Sequence, residues 1–165
     1  MAVKAIIGIV LLALVPIVSP HESYKIRRDW ISTYTYQSNG NGNSAGIEYA
    51  RNYGYPTVHN LAGGIGTYRD PITFASQKDQ FRPGQRIYIP ILHRYFMKED
   101  WCSTCYTRKD HKWQTDLWIG KVSQAELHST DPASAINWWF RTTIIVNPPR
   151  GLKVNTGPLK RVRVG

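Results

Sequence analysis

The chain has 165 residues, a formal net charge of +10 at pH 7 and an apolar fraction of 42%. This length suits one self-folding globular domain, and we expect these residues to form a single domain. The charge favours anionic partners such as acidic polysaccharide, wall or membrane surfaces or nucleic acid, or it only keeps the protein soluble; it does not indicate a fold. Six Trp and ten Tyr either form stacking platforms for sugars or fill a small β core.

Residues 1–20 have the pattern of a secretory signal peptide. Lys4 supplies a positive start, the eleven residues from Ala5 to Val15 are apolar or Gly, and Ser19 is a small residue near a possible cleavage point. The apolar run is too short to cross a bilayer comfortably, which takes about 20 residues. We therefore expect secretion after cleavage, with an uncleaved membrane anchor as the alternative.

Short strand-like runs follow along the rest of the chain. Alternating β-branched and aromatic residues predict strands at 31–37, 65–68, 72–75, 86–90, 91–98, 113–119 and 142–146. Helix signals are weak: residues 47–52, 76–81 and 123–127 allow a short turn, and the best helix is Asp131–Trp139, where Asp131 suits the N-cap and Pro132 the first helical position. Many short strands separated by Gly and Pro predict a small β-barrel or sandwich. We expect this domain to span residues 21–149 and the basic segment 150–165 to be a flexible tail.

Cys102 and Cys105 are the two cysteines of the chain. In an oxidising compartment such a pair forms a disulfide. A zinc site would need two further ligands, and the nearby His93 and His111 do not meet a Cys₂His₂ spacing. We therefore predict a structural disulfide, no metal and no cofactor.

Three segments in order resemble a known barrel. Residues 81–90 (FRPGQRIYIP), 94–102 (RYFMKEDWC) and 115–120 (TDLWIG) are similar to successive strands of the 3D domains of lytic transglycosylases. Expansins and single-barrel endoglucanases share that fold, and uncharacterised secreted fungal proteins carry segments similar to 70–75, 99–105 and 116–120. Residues 33–46 resemble the opening strand and Gly-rich loop. The resemblance implies a mainly β, six-stranded double-psi β-barrel with one or two short helices.

The same resemblance implies two catalytic carboxylates. Asp116 matches the catalytic Asp of the third segment, and Asp100 is the natural partner in the second. An apolar setting beside Leu117 and Trp118 would raise the pKa of Asp116 and keep it protonated for acid work. The alternative is that either Asp caps a turn or pairs with a Lys or Arg. Two departures weaken the case for catalysis: residues 74–76 lack the first Asp of the 3D domain, and Thr115 replaces the aromatic residue that expansins place before Asp.

Several aromatic side chains are candidates for sugar stacking, and His111 is a candidate substrate contact or an exposed loop residue. The aromatic candidates, each of which would otherwise belong to the core or its rim, are Tyr36, Tyr68, Trp101, Trp113 and Trp118.

The predicted function is a secreted, monomeric protein that cleaves or loosens a cell-wall polysaccharide, with Asp116 as general acid. The alternatives are a non-catalytic carbohydrate-binding protein on the same barrel and a protein-directed effector. The expected partner is a polysaccharide or wall surface, including an anionic one, and not a membrane once the signal is removed. The basic residues are scattered without a recognised nucleic-acid module, so we expect no nucleic-acid binding.

Overall fold

A computed structural model describes residues 23–40, 42–105, 113–129, 138–157 and 159. The predicted signal peptide, His111, residues 131–137 of the predicted helix and most of the tail beyond 157 lie outside the described residues. Among the described residues, no helix reaches the length and apolarity that a membrane crossing requires.

The described part of the chain is mainly β and forms a closed barrel of six strands, as predicted. The strands are β1 (Lys25–Tyr34), β2 (Ile72–Ser76), β3 (Arg86–Ile89), β4 (Arg94–Trp101), β5 (Gln114–Trp118) and β6 (Phe140–Val146). Their order around the barrel is β1-β5-β2-β4-β3-β6. The neighbours β1 and β5 run parallel, as do β2 and β4, and the remaining pairs are antiparallel. Each of these six described strands therefore has two neighbours, and none of the six forms an open sheet edge.

The strand order contains an internal two-fold pattern. Exchanging β1, β2 and β3 with β4, β5 and β6 reproduces the same circular order and the same parallel pairs. This arrangement is compatible with the double-psi barrel that the sequence resemblance implies.

Apolar side chains from all parts of the barrel fill its interior. Each fully buried side chain of this size contributes about 1.5–3 kcal/mol of transfer free energy. The members with no exposed surface include Ile31, Phe74, Ile87, Phe96, Leu117 and Ile144. They come from all six strands, so the core depends on barrel closure.

The structure corrects two of the predicted strands. Residues 65–68 form a bent loop in which the backbone N–H groups of Ile65, Gly66 and Thr67 all point at the carbonyl oxygen of Asp70. The predicted strand at 91–98 begins only at Arg94, because Pro90–Leu92 is a 3-10 helix and His93 has a φ of 50°. Pro90 lacks the N–H that would continue the ladder of β3.

Short helices occupy connections. A 3-10 helix spans Arg51–Tyr53, and α1 (Gln124–Leu127) confirms the turn expected at 123–127. A capping box between Ser123 and Glu126 starts α1, with each side chain bonded to the other residue's backbone N–H.

A buried polar cluster anchors the long connection between β1 and β2. Glu99, on β4, accepts hydrogen bonds at 3.0 Å from the backbone N–H groups of Val58 and His59, and one at 2.6 Å from the Thr73 hydroxyl. The two nitrogens of the His59 ring lie 2.7 Å from Glu99 and 2.8 Å from Asp70. Burial raises the pKa of Glu99, but the bonds from His59 and Thr73 outweigh that effect and lower it. The connection is thus fixed next to Asp100.

Candidate functional site

An open groove of about 700 Å³ lies where β1, β4 and β5 approach the loop that follows β1. We call it the acidic groove. Tyr34, Asp100 and Asp116 line it from the three strands. The Gly-rich loop (residues 38–40 and 42–46) and the segment from Trp101 to Thr104 complete its walls. The loop turns back tightly at Gly42, whose φ is 87° and whose added Cβ would lie 3.2 Å from the Gln37 carbonyl oxygen.

Strand register brings the two predicted catalytic carboxylates to the same place. Ala75 on β2 is the register partner of Asp100 on β4 and also of Asp116 on β5. Residues in one such row point to the same face of a sheet, and neighbouring strands are about 4.8 Å apart. The two Asp residues therefore flank the small side chain of Ala75, which leaves the space between them open.

Asp116 is only partly exposed and is held by a short chain of hydrogen bonds. The Ser32 hydroxyl donates to Asp116 Oδ1 at 2.6 Å, and the Gln114 amide donates to the Ser32 oxygen at 2.9 Å. Burial raises the pKa of Asp116 to about 6, the Ser32 bond opposes that rise, and the nearby Asp100 adds to it. Asp116 therefore holds a proton at a pH where an ordinary carboxyl has lost it.

Asp100 is more buried, with 7% exposure, and has three donors. The backbone N–H groups of Glu48 and Trp101 reach Oδ1 at 3.0 and 2.8 Å, and the Tyr34 hydroxyl donates to Oδ2 at 3.2 Å. Burial raises the pKa of Asp100, and these donors oppose the rise. Three donors against one for Asp116 make Asp100 the carboxyl that holds the negative charge of the pair.

The predicted disulfide is confirmed and lies against Asp116. Cys102 and Cys105 are joined by an S–S bond, and both sulfurs lie within 4.8 Å of a carboxylate oxygen of Asp116. Within the described residues, these three side chains are the group whose spacing could suit a metal ion. Metal binding by cysteine requires thiolates, so this group does not fit a metal while the disulfide is intact.

The structure places one predicted aromatic side chain at the acidic groove and one just behind it. Trp101 lines the groove with 41% of its surface exposed, and Lys78 Nζ lies 4.4 Å from its ring centroid. Trp118 is buried, and its ring meets Tyr34 edge-on at 5.2 Å. Trp118 thus supports the groove residue Tyr34.

The remaining described candidates lie elsewhere. Trp113 lies under the Arg27 guanidinium at 4.2 Å, and Tyr36 packs against the core with Lys121 Nζ 5.6 Å from its ring. Tyr68 lines a second groove described below. None of the three lines the acidic groove.

Sequence reasoning missed four residues that support the acidic groove. Ser32 and Tyr34, which bond the two Asp residues, alternate along β1 in the segment predicted as a strand, and that alternation was the available signal. No feature of the sequence around Gln114 indicated a role at the acidic groove. Lys98 has no exposed surface, and burial lowers its pKa to about 7 while Asp100 opposes that shift.

Together these features define a small closed β-barrel protein with two carboxyl groups in one open groove. The chain belongs to the DDB_G0273701 N-terminal domain family, whose profile matches residues 26–163. A Dictyostelium discoideum protein described as "Uncharacterized protein DDB_G0273701/DDB_G0273221" is 40% identical over 68 residues. That match covers 40% of this chain and 30% of the Dictyostelium protein, so the chain spans about a third of that relative. No solved structure matches the chain.

Proposed function

We propose that this protein is secreted and cleaves a cell-wall polysaccharide, with Asp116 as the general acid. The observation that carries the proposal is the meeting of Asp116 and Asp100 in one open groove. A glycosidic oxygen needs a proton before it leaves, and the raised pKa of Asp116 makes this side chain a proton donor near pH 6.

The proposed chemistry needs one proton-transferring carboxyl. Asp116 protonates the glycosidic oxygen as its bond to the anomeric carbon breaks. A hydroxyl of the same sugar then attacks that carbon and returns its proton to Asp116, as the resemblance to lytic transglycosylases implies. The negative charge on Asp100 stabilises the positive charge that develops on the sugar ring. Trp101, with 41% of its surface exposed, lies at the groove wall and is the candidate aromatic contact to the sugar.

Three further features support secretion and action on glycans. The segment 1–20 has the composition of a signal peptide, and a disulfide is typical of proteins that fold in an oxidising compartment. The segment 115–120, which contains Asp116, is also the one that resembles the catalytic strand of the lytic transglycosylases.

The test measures soluble product release from peptidoglycan, β-glucan, chitin and cellulose by the wild type and by Asp116→Asn. We expect cleavage of at least one substrate and its loss in Asp116→Asn by a factor of about 10² or more. Asp79→Asn, a carboxylate change at an exposed position outside the acidic groove, is the matched control. Circular dichroism checks that both variants fold. Absence of cleavage on the whole panel, or equal activity in Asp116→Asn, refutes the enzymatic proposal.

A second candidate is a non-catalytic polysaccharide-binding protein on the same barrel. The specific observation in its favour is that both oxygens of Asp100 already accept hydrogen bonds, so this carboxylate is not free to activate water. Retention on insoluble wall material without product release, unchanged in Asp116→Asn, selects this function.

A further inference from the structure

A second groove, of about 870 Å³, shares no residue with the acidic groove. We call it the basic groove. The turn before β3, the start of β3 and the segment after β6 form it. Its volume lies in the range of small-ligand pockets. Arg82, Arg86 and Arg150 line it, and its described lining contains no Asp or Glu.

Two of the three arginines are held close together, and none of the three has a carboxylate partner among the described residues. The guanidinium groups of Arg86 and Arg150 lie 4.8 and 5.0 Å from the centroid of the same ring, that of Tyr68. Both positive charges are therefore within about 10 Å of each other, the Debye length at 0.1 M salt. Arg86 Nε also donates to the Tyr68 carbonyl oxygen at 3.2 Å. No carboxylate of the described residues lies within 4.0 Å of a guanidinium nitrogen of Arg82, Arg86 or Arg150.

The rest of the basic groove combines proline faces with amide groups. Pro83 and Pro149 belong to its walls, and proline has little freedom to rearrange. Gly84 packs tightly against the backbone of Pro56, which also lines the groove, since an added Cβ would lie 2.2 Å from the Pro56 carbonyl oxygen. The Gln85 amide donates to Asn147 Oδ1 at 3.0 Å, which orients the Asn147 side chain at the groove wall.

We propose that the basic groove binds the sugar-acid units of an acidic polysaccharide. A uronic acid presents a carboxylate, several hydroxyl groups and a weakly polar ring face. Guanidinium groups bind carboxylates through paired, charge-assisted hydrogen bonds. The Asn147 amide suits the hydroxyl groups, and the proline faces suit the sugar ring. The three arginines line one groove of limited volume, and such a site fits a few sugar units better than the extended backbone track of a nucleic acid, which adds stacked bases along its length.

Tyr68 acts here as a positioning residue. Its ring already contacts two guanidinium groups and the edge of Tyr95 at 5.3 Å, so it holds the cations in place and does not itself offer a free stacking face to sugar. The proposal does not depend on the acidic groove being catalytic, because binding is measured without cleavage.

The experiment measures the affinity of the full chain for oligogalacturonate by calorimetry, with a cello-oligosaccharide of equal length as the neutral probe. We expect Arg82→Gln/Arg150→Gln to weaken oligogalacturonate binding by about tenfold or more. Arg28→Gln/Arg51→Gln removes the same charge from exposed positions outside the basic groove and should change the affinity less than about twofold. Tyr68→Leu keeps the net charge and should also weaken binding, because the two guanidinium groups lose their common support.

Four results would overturn the proposal. The first three are a wild type that does not bind oligogalacturonate, a wild type that binds the neutral probe with equal affinity, and an equal loss of affinity in the two double variants. The fourth is tighter binding of a single-stranded oligonucleotide, with that binding abolished in Arg82→Gln/Arg150→Gln. The last result would identify the basic groove as a nucleic-acid site. Product release by Arg82→Gln/Arg150→Gln is measured as well, so that a failure of the basic-groove proposal can be told apart from a failure of the proposed cleavage by Asp116.

Discussion

Replacing Asp116 by Asn should stabilise the fold at neutral pH while it removes the proposed activity. Asp116 has a pKa of about 6 in the folded protein against 3.8 for an ordinary Asp, chiefly because burial disfavours its charge. As pH rises between these two values, the unfolded chain releases this proton first and the folded chain keeps it. The folded state therefore loses stability over that window, and the full penalty is present at pH 7.

The two pKa values set the size of the effect. A difference of about 2 pKa units corresponds to about 3 kcal/mol. Because the side chain is partly exposed in the acidic groove, about 3 kcal/mol is an upper limit. Asn has no charge to bury, and its Oδ1 can still accept the hydrogen bond from Ser32.

Urea unfolding of the wild type and Asp116→Asn at pH 7.5 and at pH 3 measures the difference. We expect Asp116→Asn to be more stable by up to about 3 kcal/mol at pH 7.5 and the gap to close at pH 3, where both side chains are neutral. Glu126→Gln is a control of opposite sign, because backbone and hydroxyl bonds from Ser123 lower the pKa of Glu126. A loss of stability in Asp116→Asn at pH 7.5, or a gap independent of pH, would refute the account of Asp116.

Two further predictions concern hydrogen-bonded titrating groups. Ser32→Ala removes a bond to the ionised form of Asp116 and should raise the pKa of Asp116 by about 1 unit in carbon-13 NMR titration, whereas Ser38→Ala in the same groove should not; an unchanged or lower pKa contradicts the assigned role. The bond to Glu99, helped by that to Asp70, raises the pKa of His59 above its usual 6.5, so the stability it contributes is complete below pH 6.5 and is lost as pH rises through the folded value. Thermal unfolding against pH should show that loss in the wild type and not in His59→Gln, and identical profiles would exclude it.

The local residue pattern was enough to predict most strands, because inward-facing and outward-facing residues alternate along a half-buried strand and the sequence shows that alternation. The segment 72–75 and the terminal strand at 142–146 lie within the observed β2 and β6. The same rule failed at 91–98, since the β-branched and aromatic residues there do not show that Pro90 ends the ladder. It also placed the start of β1 six residues late, because Lys25 to Asp29 look polar until they pair with β6.

The family resemblance paired the two candidate carboxylates, but nothing in the sequence around either of them showed that they meet. Asp100 and Asp116 are 16 residues apart and meet only because β2 lies between their strands and places Ala75 opposite both. The pairing of strands in the barrel also brings the hydroxyl donors of β1 to these two carboxylates and the disulfide to Asp116. The basic groove had no sequence signature, because Arg150 follows β6, whereas Arg82 precedes β3 and Arg86 is its first residue.

Side-chain alternation, the Gly and Pro breaks and the cysteine pair were sufficient to establish a mainly β domain with one disulfide, because each depends on neighbours within a few residues. The partners of each strand, the burial and the neighbouring Asp100 that raise the pKa of Asp116, and the meeting of three arginines in one groove were decided only by barrel closure. Closure sets which distant side chains share a groove and how much water reaches them, and both quantities depend on contacts between segments far apart in the chain.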